Sequence, residues 1–173
     1  KRIGTALISV YSKEGLLPLV QQLAAYDVTI LSTGGTWEYL RSNGIDAGKV
    51  EDLTGYPSIL GGRVKTLNPL IFGGILARRG AAESTRDVKE YNIPMIDLVV
   101  VDLYPFSETL AKGGSEEELV EKIDIGGVSL LRAAAKNYED VLVVSSRQQY
   151  DRLLELLKTG KGITTRTHRR AWA

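Results

Sequence analysis

Two stretches of this chain set cations beside glycines in apolar company: G-G-R-V-K-T-L-N-P at 61–69 and I-D-I-G-G-V-S-L-L-R-A-A-A-K-N at 123–137. Folded proteins seldom surround Lys or Arg with apolar residues unless a counter-charge is at hand. For Arg63, Lys65 and Lys136 together, an anionic ligand is the simplest counter-charge. Arg63 and Lys65 are two residues apart, so in an extended backbone they point the same way, and Thr66 adds a hydroxyl. The alternative is a surface loop with two solvated cations. Ile59, Leu60, Val64, Leu67 and Ile71 all favour burial and argue against it.

Two further loops suit an anion. Tyr11-Ser12-Lys13-Glu14-Gly15 and Ser32-Thr33-Gly34-Gly35-Thr36 each follow an apolar run and open a helical pattern. Free amides at a helix start, hydroxyls beside them and glycines that admit close approach bind phosphate. Lys13 would close over it as a point charge. Taken singly, each loop has a plainer reading, with Ser32 or Thr33 as a helix cap and Lys13 as a solvated cation. Two such loops at one edge of a sheet favour the anion site. Together with Arg63, Lys65 and Lys136 they point to a phosphorylated small molecule.

Asp102-Leu103-Tyr104 ends another apolar run. A tyrosine there can donate to a developing oxyanion, or it can sit in the core with its hydroxyl satisfied. Asp124 precedes Gly126-Gly127, and a helix from about residue 128 carries Arg132 and Lys136 one turn apart on an alanine-rich surface, placed to face something specific. Ideal helix geometry would hold Asp124 and Lys136 roughly 18 Å apart. They share a site only if residues 124–127 fold back as a loop. His168, the only histidine, lies in a basic tail, which excludes a His-based triad or a multi-His metal site. No carboxylates carry metal-ligand spacing, and without cysteine there is no thiolate chemistry and no disulfide. Acid–base work falls to Lys, Tyr and Asp.

The elements that must position these groups begin with short, nearly continuous apolar runs at 5–10, 28–31, 98–103 and 141–144. Such runs suit strands covered on both faces of a parallel sheet. Helical patterns lie between them. Residues 13–26 keep Leu16, Leu17, Leu19, Val20 and Leu23 on one face, and Trp37, Leu40 and Arg41 follow the second glycine loop. Pro69 can start a helix over 70–75, and a closing helix spans 148–158, ended by Gly160. This alternation predicts an α/β fold whose ligands sit beyond the carboxyl ends of the strands. Residues 51–86 break the rhythm with glycines and prolines and read as irregular, with 81–87 as an exposed turn.

Composition narrows the class. A chain of 173 residues fits one domain that buries most of its apolar surface. A hydrophobic share of 43% and a charged share of 25% are ordinary for a globular protein. A formal charge of +1 leaves nucleic acid without its usual basic stripe, residues 166–170 apart. No apolar run nears the ~20 residues of a membrane helix, and the opening K-R-I-G-T-A-L-I-S-V reads as a strand rather than a signal peptide. The expectation is one cytoplasmic domain, with neither nucleic acid nor membrane as a partner.

Six motifs then carry a resemblance. L-I-S-V-Y-S-K-E-G-L, I-L-S-T-G-G-T, P-S-I-L-G-G-R-V-K-T-L-N-P, F-G-G-I-L-A-R-R, V-V-V-D-L-Y-P-F and I-D-I-G-G-V-S-L-L-R-A-A-A-K-N, in that order, resemble the inosine monophosphate cyclohydrolase domain. That is the N-terminal domain of the bifunctional purine biosynthesis protein family, within the methylglyoxal-synthase-like superfamily. The likeness runs from residue 6 to about residue 170. It implies a three-layer α/β domain with a central, mainly parallel sheet flanked by helices. It also implies the last step of purine synthesis, in which a formamido-imidazole-carboxamide ribotide closes to inosine monophosphate and releases water.

By motif, Ser9, Lys13, Ser32, Thr33, Gly35 and Thr36 correspond to the nucleotide-phosphate pocket. Arg63, Lys65, Thr66, Asp102, Tyr104, Asp124, Gly126 and Lys136 correspond to the base-binding and catalytic wall. The resemblance assigns chemistry to four of them: Asp124 assists deprotonation of the carboxamide nitrogen, while Lys65, Tyr104 and Lys136 stabilise the oxyanion and help water leave. It implies a purine ribotide as substrate, no metal or organic cofactor, and a homodimer in the full-length protein. Two positions depart from the family pattern. Asn68 stands where the family usually has His, and Asp102 where it often has Asn. The chain stops in T-R-T-H-R-R-A-W-A, where the family's domain continues towards a formyl-transferring domain. The expectation is a single cyclohydrolase domain over 1–173, shortened at its C-terminal end and without the transformylase. A methylglyoxal-synthase-like lyase shares the implied fold but relies on a His that this chain does not place. A non-catalytic nucleotide-binding regulatory domain would need only the phosphate loops.

Overall fold

The unbroken apolar runs become four adjacent strands of a five-stranded parallel sheet. In the computed structural model, which describes residues 1–173, the chain begins β1 (Thr5–Val10), α1 (Leu16–Ala24), β2 (Thr29–Ser32), α2 (Gly34–Ser42), β3 (Gly48–Lys49) and α3 (Val50–Thr54). A 3-10 turn (Leu60–Gly62) leads to α4 (Pro69–Leu76), α5 (Ala82–Glu90), β4 (Leu98–Asp102), α6 (Phe106–Ala111) and α7 (Glu116–Glu121). Then come α8 (Gly126–Lys136), β5 (Leu142–Val144), a second 3-10 turn (Arg147–Gln149), α9 (Tyr150–Gly160) and α10 (Arg166–Trp172). The strand order is β3-β2-β1-β4-β5, with every pairing parallel. From β1 the chain builds outward through β2 and β3, then returns to place β4 on the other side. That reversal makes the β1/β4 boundary a topological switch point, where open α/β sheets bind ligands.

Alternate residues of each strand serve opposite faces. Ala6, Ile8, Val10, Ile30, Leu98, Val100, Leu142 and Val144 form one core with Leu16, Leu19, Val20 and Leu23 of α1, Leu153 and Leu157 of α9 and Trp172 of α10. Leu7, Leu31, Val99, Val101 and Val143 pack the other face against Ile71 and Ile75 of α4 and Leu130, Ala133 and Ala134 of α8. The result is the expected three layers, helices over both faces of a parallel sheet.

Several stretches differ from the sequence reading. Residues 51–86 are largely helical, holding α3, the first 3-10 turn, α4 and half of α5. One of their glycines is a packing contact: a Cβ on Gly74 would stand 2.1 Å from the Pro94 carbonyl oxygen. The segment 81–87 is mostly helix α5 rather than a turn. That helix buries no residue, so it leaves no apolar period to read. Helices α6 and α7 bury none either and were equally invisible. The basic tail folds as α10, where Arg169 and Trp172 are buried. No helix is long and apolar enough to cross a membrane.

Candidate active site

β1, β2 and β4 all end at the same sheet edge, and Val10 of β1 pairs in register with Asp102 of β4. Loops leaving these ends wall a cavity of about 510 Å³. It gathers Ser9, Lys13, Thr33, Gly35, Thr36, Arg63, Lys65, Thr66, Asp102, Tyr104, Asp124 and Gly126. Ser32 and Lys136 stay outside it.

One end suits a phosphate. Thr33 is extended at the N-cap of α2 and makes no cap hydrogen bond with its side chain. Its hydroxyl lies 3.1 Å from that of Ser9. The first amides of α2, on Gly34 and Gly35, lack intrahelical partners. Lys65 Nζ is 3.3 Å from where a Cβ on Gly34 would be and 3.4 Å from that of Gly62. An added Cβ would crowd the ammonium, and Gly34 also has φ +46°, which L side chains rarely adopt. Lys13 Nζ donates to the Val10 and Tyr11 carbonyls at 2.6 and 3.0 Å. Burial pushes its pKa below the ordinary lysine value, against the pull of Asp102.

Two expected ligand hydroxyls are already spent on the scaffold. Ser32 is buried, and its hydroxyl donates to the Ile8 carbonyl at 2.7 Å, so it ties β2 to β1 instead of facing a ligand. Thr36 reaches the cavity wall, but its hydroxyl donates to the Val10 carbonyl at 2.9 Å and accepts from the Val10 amide at 3.1 Å. Asp102 is similarly engaged. Its Oδ2 accepts from the Ser12 amide at 2.9 Å, and its carbonyl accepts from Tyr11 N at 3.1 Å. The carboxylate therefore shapes the loop that carries Lys13.

The other end carries the acid–base candidates. Tyr104 is 44% exposed, which rules out a core tyrosine, and its ring meets that of Tyr11 edge to face at 5.5 Å. Residues 124–127 do not fold back as a loop: Gly126 and Gly127 already belong to α8, and Asp124 Oδ1 accepts from the Gly127 amide at 2.6 Å at its start. A Cβ on Gly127 would stand 2.8 Å from the Asp124 carboxylate oxygens, and one on Gly126 2.8 Å from Thr66 Oγ1. These glycines let α8 begin against both side chains. Lys136 ends the same helix, about 15 Å away along its axis. Ala133 and Ala134 turn to the sheet, while Arg132 and Lys136 occupy the exposed face. The alanine-rich surface packs the core, and the cations therefore point away from the cavity.

Arg63 also departs from expectation, because its counter-charge is within the chain. It forms an ion pair with Glu121, a cavity residue the sequence did not single out. Asn68 caps α4 by accepting from the Leu70 amide at 2.9 Å, a task that needs no titration. His168 sits in the capping box of α10 and not in the cavity. No group of three His, Cys, Asp or Glu side chains is arranged to hold a metal ion.

Comparison with known proteins agrees with this architecture. Residues 15–129 match the family model of the MGS-like domain. The bifunctional purine biosynthesis protein PurH of Bacteroides thetaiotaomicron is 56% identical over 172 residues, covering 99% of this chain and 34% of that protein. PurH of Clostridioides difficile is 50% identical over 154 residues, 89% of this chain and 30% of the relative. The chain thus spans about a third of the length of these curated relatives. A solved structure, that of ForH, is 36% identical with a TM-score of 0.83, covering 98% of this chain and 87% of that one.

Proposed function

The chain belongs to the MGS-like domain family, and we propose that it is an inosine monophosphate cyclohydrolase. In that reaction 5-formamidoimidazole-4-carboxamide ribotide closes to inosine monophosphate and water. One observation carries the reading. A single cavity at the β1/β4 switch point has cations and free helix amides at one end, and Tyr104 and Asp124 at the other. The close likeness to proteins of purine biosynthesis supports the same substrate class. A cytoplasmic location and a homodimer of the full-length protein belong to this proposal.

The 5′-phosphate takes the Gly34-Gly35 amides and the Ser9 and Thr33 hydroxyls, with Lys13 and Lys65 as neutralising charges. The base extends towards Arg63, Thr66, Asp102 and Gly126. The carboxamide nitrogen attacks the formyl carbon, and Asp124 Oδ2, the oxygen not bonded to Gly127, takes a proton from that nitrogen. The formyl oxygen becomes an oxyanion that the Tyr104 hydroxyl stabilises. It then takes the proton held by Asp124 and a second from the former formamido nitrogen, and leaves as water while the C=N bond forms between that nitrogen and the formyl carbon. Because both reacting groups belong to one molecule, holding them in near-attack geometry supplies much of the acceleration. Asp, Tyr and Lys suffice, with no cofactor in any step. Lys136 has no part in this proposal.

The test is the absorbance rise as the ribotide becomes a purine. Wild-type protein should turn over, and Lys65→Ala and Asp124→Asn should each lose about a hundredfold in kcat/KM. Near-normal closure by both variants would overturn the residue roles. Binding of inosine monophosphate without any ring closure would replace the enzyme with a nucleotide-binding module.

A further inference from the structure

Polar contacts hold the last turn of α7 to the cavity, and neither α6 nor α7 buries a side chain fully. Glu121 grips Arg63 on one side. Lys122 reaches the other side. Its ammonium stands 5.4 Å from the ring centroid of Tyr11 and 5.7 Å from that of Tyr104. Lys122 makes none of the chain's ion pairs, so the two phenol rings are its charge partners. An ammonium over an aromatic face is attracted by the ring quadrupole, and here two rings share one cation. Tyr11 and Tyr104 both line the cavity, on the loops that leave β1 and β4.

We propose that Lys122 is a positioning residue for the ring closure: it fixes the Tyr104 ring against Tyr11 so that the phenol hydroxyl faces the developing oxyanion. Lys122 itself touches no reacting atom. The inference rests on the cyclohydrolase reading. Its physical basis is the setting of Tyr104, which is half-exposed on the irregular segment between β4 and α6. The edge of Tyr11 and the ammonium of Lys122 are what hold the ring. Without the ammonium the ring is free to populate other staggered wells, and its hydroxyl spends less time facing the cavity. The hydroxyl matters only once charge has built on the formyl oxygen, so the loss belongs in kcat rather than in substrate binding.

The experiment compares wild type, Lys122→Met, Lys122→Arg, Tyr104→Phe and the Lys122→Met/Tyr104→Phe double variant. Lys122→Met should lower kcat about fivefold with KM nearly unchanged, and Lys122→Arg should restore most of it. In the Tyr104→Phe background Lys122→Met should cost nothing more, since the group it positions is gone. Spectra of ring-labelled tyrosine, taken without substrate, should show Tyr104 and Tyr11 resonances displaced in Lys122→Met. A loss confined to KM, an equal loss in the double variant, or unmoved tyrosine resonances would overturn the assignment. If wild type closes no ring, the cyclohydrolase reading falls by itself. The spectra alone then decide whether Lys122 holds Tyr104: displaced resonances keep that contact, and unmoved ones end it.

Discussion

Burial and charge pull on Lys13 in opposite directions. Desolvation lowers its pKa and Asp102 raises it, with desolvation the stronger. The folded protein therefore sheds that proton at a lower pH than the unfolded chain does. Between the two values the unfolded state binds more protons, so stability gains as pH climbs towards the ordinary lysine value of about 10.4. Lys13→Met removes this contribution. Urea midpoints taken from about pH 8 to about pH 10.5 should show wild type gaining on Lys13→Met as pH rises. A gap that stays constant or shrinks would mean that the ammonium is not desolvated. On the proposed function, this desolvation has a use: a half-buried cation gains a counter-charge when the substrate's phosphate binds.

Among the elements, α4 shows how tightly the scaffold behind the site is built. Gly74 lies mid-helix, where alanine would ordinarily gain about 1 kcal/mol in helix propensity. Here the added Cβ would meet the Pro94 carbonyl oxygen at 2.1 Å and Ile96 side-chain atoms at 3.3 Å. The same turn accepts a hydrogen bond from the Ile96 amide to the Gly74 carbonyl at 3.1 Å. A backbone oxygen cannot step aside as a flexible side chain can, so the clash outweighs the propensity. Gly74→Ala should cost about 3 kcal/mol in urea unfolding. A neutral or stabilising result would show that α4 can slide along the sheet. Such a slide would also move Asn68, which caps α4 immediately after the Lys65-Thr66 wall.

For the molecule as a whole, α10 is joined to the far end of the sheet by Trp172 in the core and by one buried guanidinium. Arg169 donates to the Tyr138, Glu139 and Thr164 carbonyls and to the Thr164 hydroxyl, all at 2.8–3.0 Å. Arg169→Met would take this donor from the Tyr138 and Glu139 carbonyls, while Thr164 keeps its bonds to Lys1, and should cost about 2–4 kcal/mol, read from the urea midpoint. A loss below about 0.5 kcal/mol would mean that water replaces the guanidinium there. Four of the five strands were legible in the sequence because each is covered on both faces and carries a run of apolar, mostly β-branched residues, a signal contained in a few neighbouring residues, whereas β3 is only Gly48–Lys49 and carries no such run. Lys65, Asp102 and Asp124, which line the cavity, were legible for a related reason, since cations, carboxylates and glycines side by side in apolar stretches need a local explanation. Other features arose only in three dimensions. Helices α5, α6 and α7 bury nothing and so leave no period. The Arg63–Glu121 pair joins residues 58 positions apart. The outward turn of Lys136 depended on which face of α8 the sheet would accept. Its alanines advertised close packing, yet a helix read in isolation does not say which of its sides will be the buried one.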